Sequence, residues 1–178
     1  MKEEKVRELL EECVYALTDG DFFINSKEDS RCIVYEIEVD RSEYGKICGA
    51  KGKMIRSIKY VWEACISRQI QKPIRVTLKE PSNGFSKGRQ PNVPSEKFDP
   101  SWFHSLLTYV AEASIEGVVR QLEDEWSNES NRVSKWSVSC TCNTDINFND
   151  YQNSLSNLFG GIAKANGGNA RLQFTWID

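Results

Sequence analysis

Five basic side chains, three glycines and no acidic residue share the sixteen residues from Tyr44 to Lys59, which read Y-G-K-I-C-G-A-K-G-K-M-I-R-S-I-K. The cations are Lys46, Lys51, Lys53, Arg56 and Lys59; two of the glycines, Gly49 and Gly52, have two residues between them. The chemistry open to such a set is anion binding. Glycine lets the main chain turn with positive φ and lets a phosphate approach it closely. A helix that starts just after Gly52 presents the positive end of its dipole and its first amides outward, where an anion is favoured. Ammonium and guanidinium groups on the same stretch add charge.

Nothing else in the chain suggests bond-making chemistry. His104 is the only histidine. It stands at a helix start beside Trp102 and Phe103, with no Ser/His/Asp or Cys/His grouping and no carboxylates at motif spacing. The six cysteines (13, 32, 48, 65, 140 and 142) form no C-x-x-C pair, and most fall on apolar faces. Cys140 and Cys142 point the same way from one strand and read as packing residues. Reduced cysteines of a cytoplasmic protein are the expectation, with no zinc site, no cofactor and no catalytic residue. No secretory signal and no apolar run of membrane-spanning length is seen.

Charge is segregated along the chain. The formal net charge is -3, with a pI near 5.4. Residues 1–43 carry 6 basic and 13 acidic side chains, residues 44–79 carry 9 basic ones against Glu63 alone, and residues 101–178 carry 5 against 9. The basic charge centres on the glycine loop and the helix after it, the footprint of a polyanion site in an otherwise acidic chain.

The elements that position this loop follow from periodicity. Val6, Leu9, Leu10, Cys13, Val14 and Leu17 set a helix over 3–17. Phe22–Ile24 is a short strand, 25–30 a turn, and 32–39 a stronger strand in which Ile33, Tyr35, Ile37 and Val39 alternate with polar or smaller partners. A short helix ends near Cys48. A longer one spans 53–70, and Pro73 precedes a strand over 74–78. Residues 81–100 hold four of the five prolines and read as a linker in which Phe85, Lys87 and Arg89 could touch nucleic acid. Beyond it the pattern is helix 101–126, strand 133–142, helix 148–164 and strand 172–176, a small α+β unit. Gly160-Gly161 inside its second helix implies either close packing or a break.

Residues 33–79 resemble a KH domain. The stretch Ile47-Cys48-Gly49-Ala50-Lys51-Gly52-Lys53-Met54-Ile55 follows that family's I-I-G-x-x-G-x-x-I core. The element order, with a helix ahead of the strands, looks like the type II, bacterial arrangement. Gly45-Lys46 and Arg56-Ser57-Ile58-Lys59 look like the small KhpA-type proteins, whose whole length corresponds to about residues 1–80. Cys48 departs from the pattern, replacing a large aliphatic residue beside the groove. The resemblance implies an α+β fold and binding of single-stranded RNA or DNA. The G-x-x-G loop would clamp a backbone of about four nucleotides.

The site expected on these grounds is Lys46, Ile47, Gly49, Ala50, Lys51, Gly52, Lys53, Ile55, Arg56 and Lys59. Ile47, Ile55 and the strand edge near Ile37 and Val39 would floor a groove for bases. The expected organisation is a KH-like domain over 1–80, a linker over 81–100 and a second α+β domain over 101–178. That last domain is acidic. It is read as a surface for a protein partner or self-association, or as a second, degenerate KH-like unit without a basic G-x-x-G. The competing reading is an assembly protein that uses a KH scaffold for protein contacts and binds no nucleic acid.

Overall fold

The computed structural model describes residues 2–18, 21–81, 100–115, 117–124, 133–141, 146–166 and 168–177. The chain begins with α1 (Glu3–Leu17), β1 (Phe22–Glu28), β2 (Ile33–Val39) and α2 (Arg41–Cys48). A single 3-10 turn (Ala50–Gly52) leads into α3 (Lys53–Lys59), a π-helical stretch (Tyr60–Ile66) and α4 (Ser67–Ile70), which together make one continuous helix before β3 (Ile74–Leu78). The second unit is α5 (Pro100–Ile115), β4 (Val118–Asp124), β5 (Val133–Thr141), α6 (Phe148–Ala165) and β6 (Asn169–Ile177). The fold class is α+β. The linker expected over 81–100 lies almost wholly outside the described residues, as do the side chains of Cys140 and Cys142.

Each unit has a three-stranded sheet, and the two sheets are wired alike. In the first, β1 and β2 are antiparallel and β2 and β3 parallel; in the second, β4 and β5 are antiparallel and β5 and β6 parallel. A helix leads each sheet and another crosses over to its last strand. The α2–glycine-loop insertion belongs to the first unit alone. Along β2 the strict alternation puts Ile33, Tyr35, Ile37 and Val39 inside. Ala170, Leu172, Phe174 and Trp176 pack on the core in the same way from β6. The helices lie between the sheets: α6 packs across α3 and α1, and α5 packs on the π-helical stretch. The buried side chains of both units form one contiguous cluster. Its largest fully buried members include Trp62 from the first unit and Trp136 and Tyr151 from the second.

The π-helical stretch sits where the long helix is buried on two sides, against β3 and against α5 and α6. Val61, Trp62, Cys65 and Ile66 are all inside, and the Trp62 indole donates to the Val6 carbonyl at 3.2 Å. Glu63, the lone acid of the basic segment, is spent on structure: its carboxylate accepts from the Val76 amide at 3.1 Å, a β3 donor turned away from β2.

Two expectations need correction. The helix expected over 101–126 stops at Ile115, and a strand, β4, follows. Val118 and Leu122 mimic a helical period, but the Gly117 amide turns back to donate to Ala111 O at 3.1 Å, where a Cβ at 117 would lie 3.1 Å from the Ala111 Cβ. Val118 and Val119 then suit an extended chain, with Val118 exposed and Val119 buried. The strand expected at Phe22–Ile24 runs on to Glu28, because Asn25, Ser26, Lys27 and Glu28 pair with β2 in register.

Gly160-Gly161 does not break α6. A Cβ at Gly161 would lie 2.2 Å from Met54 Cε, whereas one at Gly160 would meet nothing within 4 Å. Helix propensity favours alanine over glycine by about 1 kcal/mol at either position. Gly160→Ala should therefore stabilise the protein by about that much in urea unfolding. Gly161→Ala should gain little in the natural protein and recover the gain once Met54→Ala has opened the space; a double-mutant cycle measures the coupling.

Candidate nucleic-acid interface

The loop is set by what flanks it. Asp40 caps α2, its carboxylate accepting from the Arg41 amide at 2.8 Å. Ile47, wholly buried, pins the last turn of α2 to the core. Gly49 ends that helix with φ 77° and ψ 173°. A Cβ there would stand 2.7 Å from both N and Cβ of Met54, so conformation and space each demand glycine. Gly52 is left-handed at φ 74° and ψ 15°, and Lys51 between them is left-handed too, at φ 55° and ψ 29°. The Lys51 carbonyl accepts from Arg56 Nη1 at 2.7 Å, which holds this otherwise costly conformation.

The main-chain donors are partly used inside the turn. The Gly52 amide donates to Gly49 O at 3.1 Å, and the Lys53 amide donates to Ala50 O. No side chain caps the start of α3. The first-turn amide of Lys53 is therefore not turned outward, as the sequence suggested. The exposed residues of the turn are those at the tip, Ala50 and Lys51.

The basic side chains surround that tip on more than one side. Lys51, Lys53 and Arg56 are exposed, and Lys59 is half-buried one turn further on. Lys46 is exposed and ion-paired to the largely buried Glu43 at 3.0 Å. Ile55 is half-buried against the core. Three expected groove residues do not reach solvent. Ile47, Ile37 and Val39 are buried, and β2 is the central strand of its sheet, not an edge. Their apolar character serves the core beneath the loop, so they cannot floor a groove for bases.

The second unit approaches the same helix. Lys53, Arg56, Ser57 and Tyr60 share a cleft with Asp150, Asn153, Ser154 and Asn157 of α6. Tyr60 Oη donates to Asn147 O at 3.4 Å, and Asn157 Nδ2 donates to Ser57 Oγ at 3.4 Å. The face of α3 carrying Met54, Ser57 and Tyr60 is thus taken by α6, while Lys51, Ile55 and Lys59 lie outside that contact. No sequence pattern marked this division, because it depends on which of two basic faces a distant helix covers.

His104 stacks on Trp136 with ring centroids 5.2 Å apart. No group of three His, Cys, Asp or Glu side chains among the described residues is placed to hold a metal. Cys13 and Cys65 are buried, and burial pushes the Cys65 thiol up to about 12. Both are protonated at neutral pH and shielded, so a thiol reagent at pH 8 should leave them unmodified in the native protein and reach half-exposed Cys32 and Cys48 first. Site-resolved mass spectrometry checks the order. On the loop, Gly49→Ala should destabilise the fold by about 2 kcal/mol or more through the Met54 clash. Lys51→Gly should hold or raise the stability by up to about 1 kcal/mol by relieving a left-handed lysine.

Residues 4–78 match the family model described as KhpA/KhpB, KH domain. The match covers less than half of the chain and ends at the last residue of β3. No curated protein matches the chain. The α-β-β-α-α-β order, the paired positive-φ glycines and this match agree, and residues 4–78 are a KH domain of the KhpA/KhpB family.

Proposed function

We propose that the protein binds single-stranded RNA by clamping its sugar-phosphate backbone on the Gly49–Gly52 loop. A KH domain of this family implies RNA binding in general terms. The observation that carries the finer reading is the loop itself. Both glycines keep positive φ, and Ala50 and Lys51 stand exposed at the tip between them. Lys46, Lys53, Arg56 and Lys59 supply charge around it, and Ile55 a partly exposed apolar contact. Gly49 and Gly52 act through the shape of the main chain, and Ile47 acts from beneath by anchoring α2.

The repeated sheet wiring supports reading the second unit as a KH-like unit without a clamp. On this reading it buttresses the first unit through α5 and α6. Its helices are occupied by that contact, which leaves the outer face of its sheet and exposed Phe148 for a protein partner. Catalysis has no role in this account.

Replacing Ala50 and Lys51 together by Asp sets two like charges against the phosphates. Binding of a labelled single-stranded RNA should fall at least about a hundredfold, with the thermal midpoint little changed. Wild-type affinity should also decline with salt, at a log–log slope of about -0.7 per phosphate contacted. Undiminished binding by the double-aspartate variant would defeat the clamp. A wild-type protein with no salt-dependent RNA binding at all would favour the assembly reading instead.

A further inference from the structure

A cleft of about 540 Å³ opens beside the glycine loop, on the side where α6 ends. It is lined from the first unit by Leu17, Lys46, Gly49, Ala50 and Met54 and from the second by Gly161, Lys164 and Ala165. That volume lies within the range of small-molecule and nucleotide sites. We propose that this cleft seats a nucleobase of the RNA strand held on the loop, and that Lys164, from outside the KH domain, contacts the adjoining phosphate. The proposal rests on the clamp reading and extends it across the boundary between the units.

Three features support it. First, the cleft is continuous with the clamp, because Gly49 and Ala50 belong to both. A strand held at Ala50-Lys51 has a nucleotide within reach of it. Second, its walls are of two kinds. Leu17, Met54 and Ala165 offer apolar surface, and the flat backbone of Gly161 lets α6 come close enough to complete the pocket. Lys46 and Lys164 carry ammonium groups, and among the described residues Lys164 has no ion-pair partner. Third, the C-terminal ends of three helices, α1 at Leu17, α2 at Cys48 and α6 at Ala165, meet there. The last carbonyls of a helix lack intrahelical donors and project beyond its end. Some are already satisfied: Asn166 Nδ2 donates to Ala16 O at 3.0 Å and to Ile162 O at 2.7 Å. Others are met by main-chain donors, Thr18 on Val14 and Tyr15, Gly49 on Gly45 and Gly168 on Ala163; a carbonyl left over at these ends can only accept, which suits a base bearing an amino group, adenine or cytosine, over uracil. A phosphate is not favoured at helix C-termini without a cation, and Lys46 and Lys164 are placed to supply it.

The test uses the full chain and labelled RNA oligomers of about twelve nucleotides, as oligo(A), oligo(C) and oligo(U), in fluorescence anisotropy. Lys164→Glu should lower affinity about tenfold and reduce the salt slope by about one contact, with the thermal midpoint unchanged. Ala165→Trp, which fills the cleft, should erase a preference for oligo(A) and oligo(C) over oligo(U) while leaving salt-dependent binding in place. If both variants bind as the natural protein does, with the same ranking of oligomers, the cleft carries no nucleotide and the proposal fails while the clamp stands. If instead the Ala50/Lys51 double-aspartate variant keeps full affinity, the clamp falls and this proposal falls with it.

Discussion

Met54 stands between two glycines. Its main-chain nitrogen and Cβ lie where a side chain at Gly49 would go, and its methyl group lies where a side chain at Gly161 would go. One residue therefore links the glycine loop of the first unit to the packing of the second. Gly49 must stay open so that α3 can start where it does, whereas a Cβ at Gly161 would displace only the flexible Met54 methyl that fills the space between α6 and α3. Two hydrogen bonds between α6 and the long helix of the first unit, Asn157 to Ser57 and Tyr60 to Asn147, extend along that same line of approach. A change that moved Met54 would disturb the loop and the interface at once.

This coupling explains how charge is arranged on α3. A basic helix that packs on another helix must divide its faces between solvent and neighbour. Met54 and Ser57 are turned to α6, and Lys53 and Arg56 fall at the border, where Asp150 of α6 faces them across a shallow cleft. Lys51 lies beyond the border, on a left-handed residue that Arg56 holds by its carbonyl. Arg56 therefore has a structural task besides its charge. The loop's geometry is stored in a side chain that also contributes to the field around it, so the two contributions cannot be separated by a charge-removing substitution alone.

The sequence was informative where local rules act without competition. The helix over 3–17 was legible because its apolar residues recur at helical spacing and nothing contradicts them. The G-x-x-G geometry was legible because only glycine tolerates both the positive φ and the space at Gly49. The basic segment was legible as charge, but its division into covered and open faces was not, since α6 arrives from roughly a hundred residues away. Ile47, Ile37 and Val39 misled for a related reason: a buried apolar residue under a loop and an apolar residue lining a groove read the same in one dimension. The end of α5 was missed because Val118 and Leu122 continue a helical period by coincidence, while Gly117 carried the true signal.

The matched sheet wiring gives these observations a common frame. Two units with the same strand order and senses pack helix to helix, so α1 meets α6 much as α5 meets the π-helical stretch, and α3 meets α6 near the middle. In such an arrangement each unit covers the helical face of the other, and neither needs to remain identical to serve. The first unit keeps α2 and its glycine loop. In the second, β5 is joined to α6 by the short stretch 142–147, too short for a second loop and helix of that kind. The C-terminal end of α6, with Lys164 and Ala165, borders the first unit's loop. With a glycine loop in one unit only, that loop lies beside a helix end of the other, so the unit without the motif supplies part of the wall of the adjoining cleft.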